Sequence, residues 1–177
     1  MLSLLKKKNP YDGAAERAYA SLLLRVRAPG FYKIFGVPDT FDGRFELLLF
    51  HIFIVVNRLA NEGQAGMDFN QALFDRTFAD MDQTLREMGI GDMGIPKHMR
   101  RMMKAFNGRM HAYDEALKQG DGALAIALRR NLYGTLEDSD VPDIQNIMRY
   151  MKVAMMQIAK EPAAKLMAGE IVLPELE

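Results

Sequence analysis

Cysteine is absent from this chain of 177 residues, and so is tryptophan. Without cysteine there is no disulfide, no thiolate metal ligand and no thiol nucleophile. Such a chain fits a reducing compartment. Net charge is absent too: 23 Lys and Arg balance 23 Asp and Glu. A global cationic pull toward nucleic acid is therefore missing. No DNA partner is expected, and any electrostatic partner must use a local patch. A membrane-spanning run is also missing. The longest apolar stretch, "FELLLFHIFIVV" at residues 45–56, carries Glu46 and His51 and is followed by Asn57 and Arg58. A bilayer crossing needs about 20 mostly apolar residues, so the stretch reads as a buried helix. The amino end, "MLSLLKKKNPYDG", lacks the charged-then-apolar order of a signal peptide, and Asp12 and Glu16 come early for a transit peptide. The expectation is a cytoplasmic protein.

Local catalytic signatures are scarce. Ser3, Ser21 and Ser139 have no nucleophile-elbow glycines around them. The histidines are His51, His98 and His111, and none belongs to an H-E-x-x-H motif or a comparable ligand set. His51 reads as a hydrogen-bonded core residue. His98 and His111 fall about 20 Å apart along one helix at 1.5 Å per residue, too far to share a metal. Asp80 and Asp82 point to different sides of a helix. No catalytic, cofactor or metal site is expected. An enzyme with a site assembled from distant residues would instead show a pocket with converging polar groups.

One glycine motif invites a cofactor reading. "MGIGDMGIPKHM", residues 88–99, spaces Gly89, Gly91 and Gly94 as G-x-G-x-x-G. A dinucleotide loop needs a strand before the first glycine. Here "DMDQTLREM" precedes it, which is amphipathic and helical. The segment therefore reads as a turn: Gly89 past a helix end, and Pro96 in the first turn of the next helix.

What is present is helical periodicity. Residues 12–27 read as a helix broken at Pro29-Gly30. Asp39 or Thr40 caps the next, which runs to about Ala60. Residues 68–88 place Leu73, Phe74, Phe78, Met81, Leu85 and Met88 on one side. Residues 96–118 repeat Met99, Met102, Met103, Phe106, Met110, Tyr113 and Leu117 three or four apart. "ALAIALRRNLYG" is a short helix, and a last long one follows Asp143 with Ile144, Ile147, Met148, Met151, Met155 and Ile158 as its stripe. No stretch alternates as a half-buried strand does. The fold class is all-α: one compact domain of about six or seven helices over residues 11–168. Tails are expected at 1–10 and 169–177, the second extended or loose.

Two adjacent helices differ in charge. Residues 75–92 carry Asp75, Asp80, Asp82, Glu87 and Asp92 against Arg76 and Arg86. Residues 97–109 carry Lys97, Arg100, Arg101, Lys104 and Arg109 and no acid. Either the two faces pair as antiparallel neighbours, or the basic face stays open to RNA, an anionic membrane surface or another protein. The 14 methionines pose a similar choice. Their stripes pack a core, or an exposed part of them forms an adaptable groove for an apolar client.

Three stretches resemble a known family. "FYKIFGVPDTFDGRFELLLFHIFIVVNRL", "FADMDQTLREMGIGDMGIPKHMRRMMKAFNGRMHAYDEAL" and "ALRRNLYG" are similar in order and spacing to the ubiquinol–cytochrome c chaperone family, across about residues 31–134. The matching motif positions are Phe35, Gly36, Val37, Asp39, Asp42, Arg44, Phe45, Asp82, Gly89, Gly91, Asp92, Pro96, Lys97, Met102, Phe106, Gly108 and Arg109. The resemblance implies an all-α, non-enzymatic assembly factor for the cytochrome bc1 complex, and an amino end without a mitochondrial-style leader reads as that of a bacterial member. It implies an apolar membrane-protein client, cytochrome b, with a small helical partner and the ribosome as further contacts. It also implies a place in the cytoplasm or peripherally on the inner membrane. The partner-binding residues expected are Phe35, Phe41, Phe45, Lys97, Arg100, Arg101, Met102, Lys104, Phe106 and Arg109. The alternative is a ribosome- or RNA-binding module that uses the basic helix 97–109.

Overall fold

The computed structural model describes residues 9–176, so the first eight positions of the expected amino-terminal tail lie outside the described residues. Among the described residues there are eight α-helices and no strand. Six are long: α1 (Asp12–Val26), α3 (Phe41–Leu59), α4 (Gly63–Glu87), α5 (Ile95–Gln119), α6 (Asp121–Leu132) and α7 (Ile144–Ala159). Two are short, α2 (Gly30–Lys33) and α8 (Ala163–Met167), and a single 3-10 turn occupies Asp138–Asp140.

Helix α3 is the axis of the bundle. It packs against α1, α4, α5, α6 and α7, which is why its sequence is apolar all round rather than on one stripe. Every residue from Leu47 to Val55 is buried. Its start is fixed by Thr40, whose side chain accepts from the Gly43 N–H at 3.1 Å. Asp39 is engaged instead with Arg44, Oδ1 to Nε at 2.7 Å. No helix among the described residues is long and apolar enough to cross a membrane.

The loop aromatics turn inward. Phe31, Phe35, Phe50, His51 and Tyr150 form a cluster of ring contacts joining α2, α3 and α7. His51 sits within it and is hydrogen-bonded at both ring nitrogens, to Leu47 O and Tyr150 OH. A second cluster, Phe74, Phe78 and Phe106, joins α4 to α5. On the other side Tyr19 of α1 donates to Asp80 Oδ2 of α4 at 2.9 Å, while Arg76 spans Asp80 and Glu16 and lies 4.9 Å over the Tyr19 ring.

The G-x-G-x-x-G segment is the α4–α5 turn. Gly89 has φ +80°, the left-handed conformation that ends a helix without a Cβ penalty. Ile90 N–H closes the turn on Leu85 O. Pro96 stands in the first turn of α5. After α8 the chain does not fall away: residues 170–176 run extended along the bundle, with Ile171 and Leu173 buried.

Candidate partner-binding surface

Helix α5 divides its residues between two environments. Met102, Phe106, Tyr113 and Ala116 are buried against the core. Lys97, Arg100, Arg101 and Lys104 fall three or four apart, which places them together on one exposed face. None of these four cations forms an ion pair with any described residue. The acidic neighbours are occupied elsewhere. Asp82 and Asp92 both hold Arg86, and Asp80 holds Arg76 and Tyr19. The two helices therefore pack side by side without pairing their charges, and the basic face stays open.

Arg109 departs from this pattern. It lies one turn further along and turns toward α3, where Nε and Nη2 donate to both oxygens of Glu46 at 2.8 and 2.7 Å. That bidentate bond raises the guanidinium pKa against the opposing effect of burial. Beside the pair opens a cleft of about 280 Å³ between the start of α3, α5 and the end of α6. Phe41, Phe45 and Met102 give it an apolar wall, while Arg101 and Arg130 stand at its polar rim. Asn131 lies in its lining, buried beside the Tyr113 hydroxyl. The cleft thus sets an apolar wall beside charges of both signs, Arg101 and Arg130 with Asp42.

The expected partner residues thus separate. Phe35, Phe45, Met102 and Phe106 are core residues. Phe41 is half-buried in the cleft wall. Lys97, Arg100, Arg101 and Lys104 are exposed together, and Arg109 is committed to Glu46. The Met stripes of α5 and α7 face inward. Among the described residues the exposed methionines are Met67, Met88, Met93 and Met156, and Met88 and Met93 flank the α4–α5 turn next to the cationic face. Arg130, Asn131 and Glu46 are cleft residues that helical spacing does not reveal. They meet only because α6 returns its carboxyl end to the start of α3. Among the described residues no group of three or more His, Asp or Glu is arranged to hold a metal ion.

Residues 33–173 match the family described as Ubiquinol-cytochrome C chaperone. The chain is 32% identical over 131 residues to "Protein CBP3, mitochondrial" of Saccharomyces cerevisiae, a match covering 72% of this chain and 39% of that protein. It is 27% identical over 160 residues to "Ubiquinol-cytochrome-c reductase complex assembly factor 1" of Xenopus laevis, covering 90% of this chain and 80% of that one. A crystal structure of the Cbp3 homolog from Brucella abortus superposes with a TM-score of 0.81 at 35% identity, covering 94% of this chain and 91% of that chain. By the extent of the match and the shared fold, this chain belongs to the ubiquinol–cytochrome c chaperone family.

Proposed function

We propose that this chain is an assembly chaperone for the ubiquinol–cytochrome c reductase and that newly made cytochrome b is its client. Family membership supports the first part. The unpaired cationic face of α5, beside exposed Met88 and Met93, supports the second. Cytochrome b is strongly apolar, and before insertion its segments would aggregate. A chaperone surface for it combines adaptable apolar contact with charge that keeps the complex dispersed. It works by binding alone, at the cytoplasmic side of the inner membrane. The test is a deletion strain complemented with wild type or with Lys97, Arg100, Arg101 and Lys104 all changed to Ala. Assembled cytochrome b, read from its reduced-haem absorbance in membranes, is restored by wild type and not by the variant. A normal level in the deletion strain refutes the proposal.

The open cations also favour a second reading, contact with ribosomal RNA. Neutralising four phosphates gives an affinity that falls with salt at a log–log slope of about −3. That slope is lost in the quadruple variant. Binding that is absent or independent of salt removes this reading.

A further inference from the structure

The segment that follows α8, residues 170–176, is an extended strap lying between α1 and α2 on one side and α7 on the other. Its side chains alternate: Ile171 and Leu173 are buried and Val172 between them is exposed. It is held by side chains rather than by backbone pairing. No backbone–backbone hydrogen bond secures residues 171–176 among the described residues. Two side chains take its carbonyls, Arg25 Nη2 to Leu173 O at 2.9 Å and Gln157 Nε2 to Val172 O at 3.2 Å. Leu176 closes over the bare face of Gly30.

The strap leaves its groove underfilled. A hollow of about 510 Å³ lies on its α1 side, and one of about 450 Å³ on its α7 side. Leu24 and Val172 line the first, and Ile34 and Val153 the second, all four exposed. Exposed apolar side chains therefore lie on both flanks of a segment that lacks backbone–backbone hydrogen bonds to the bundle. Arg25 adds a polar anchor. Its side chain is 16% exposed, and its partners among the described residues are the strap's Leu173 carbonyl and the Glu175 carboxylate, the latter at 3.6 Å. A guanidinium buried to that degree needs an acceptor, so whatever fills the groove must offer one.

We propose that this groove binds an extended apolar segment of another polypeptide and that the strap is its occupant in cis. The strap itself specifies the ligand chemistry. It asks for branched aliphatic side chains at alternate positions and a main-chain carbonyl for Arg25, while the Glu175 carboxylate, 92% exposed, adds little. A chain in trans that meets these terms also covers Leu24, Ile34 and Val153, which the strap leaves bare. The proposal stands on the groove's own geometry and not on the identity of the client named above. A cis occupant lowers apparent affinity by the fraction of time the groove is free, so loosening the strap strengthens binding in trans.

The experiment uses the full chain and a fluorescein-labelled peptide, GEIVLPELE, read by anisotropy. The double variant Ile171→Ser/Leu173→Ser binds the peptide at least about tenfold more tightly than wild type. Adding Arg25→Ala to that variant abolishes the gain. Circular dichroism verifies that the helices persist. Independently of any loosened strap, a photoreactive phenylalanine replacing Val153 in the otherwise wild-type chain labels the peptide, and one replacing Gln83 on α4 does not. Equal or absent binding to folded wild type and double variant overturns the proposal, as does equal or absent labelling from positions 153 and 83.

Discussion

His51 at the centre of α3 allows the packing to be tested with a titration. The ring is fully buried. Nδ1 lies 2.8 Å from Leu47 O, which can only accept, so Nδ1 carries the proton. Nε2 is then the acceptor for the Tyr150 hydroxyl at 3.1 Å. Burial pulls the pKa from 6.5 down to about 3, with the positive charge of Arg25 acting in the same direction and the Leu47 carbonyl opposing. The unfolded chain therefore takes up this proton well before the folded one. Stability from neutral His51 is complete above pH 6.5 and drains away as pH falls toward 3. Between pH 7 and pH 5 the loss is about 2 kcal/mol, at 1.36 kcal/mol per pH unit below the unfolded pKa. That is a visible share of the roughly 5–15 kcal/mol typical of a domain. The assay is urea unfolding at both pH values for wild type and His51→Asn. Asn keeps a donor near Nδ1 and cannot protonate. The variant is less stable at pH 7 but loses less on acidification. Equal losses for the two proteins would refute the assignment, because carboxylates and surface groups contribute alike to both.

Other perturbations probe other contacts of the bundle. In Gly66→Ala the new Cβ would sit 2.2 Å from Leu59 O. Backbone cannot swing aside as a rotamer does, so the variant loses about 1–3 kcal/mol, and Tm falls by roughly 5 °C; an unchanged melting curve contradicts the α3–α4 packing. Arg109 and Glu46 are 27% and 16% exposed. Discounted for solvent, removing either partner costs about 1–2 kcal/mol, and a double-mutant cycle over Arg109→Met and Glu46→Gln shows coupling; additive losses dismiss the pair. Changing Lys97, Arg100, Arg101 and Lys104 to Ala leaves folding stability within about 1 kcal/mol, since these cations pair with no described residue; a marked drop in Tm makes them structural instead.

Much of the architecture is legible in the amino-acid sequence, for a simple reason. Helices α5 and α7 carry apolar residues at strict three- and four-residue spacing, and that spacing alone fixes which side packs. The all-round apolar character of α3 similarly marks it as central. The start of α4 is less legible. "NEGQAG" has the composition of a loop, yet Gly63 opens a helix there. Gly66 is in that stretch because Leu59 O passes too close for any side chain, a demand of tertiary contact that composition cannot express. The pairing of Arg109 with Glu46 is hidden in the same way. Arg109 continues the basic run of α5 in sequence, and only the angle between α3 and α5 separates it from Lys97, Arg100, Arg101 and Lys104.

The candidate surface is harder to read than the core, and the cause is physical. Phe45, Met102 and Phe106 suit an apolar client by their chemistry, but the same chemistry and the same periodic placement draw them inside. An apolar residue on a helix's own stripe is therefore poor evidence of a binding surface. The informative residues are out of phase. Leu24 lies off the α1 stripe formed by Ala15, Ala18, Tyr19, Leu22 and Val26 and is 73% exposed. Val153 lies off the α7 stripe of Ile147, Met151, Ala154 and Ile158, and Met93 stands 97% exposed in a turn. Burial does nothing to retain such residues within the monomer. Two of them, on helices far apart in sequence, stand on opposite flanks of the carboxyl-terminal strap. Periodicity identifies the interior of this protein, and the apolar positions that break periodicity mark where its partners are to be sought.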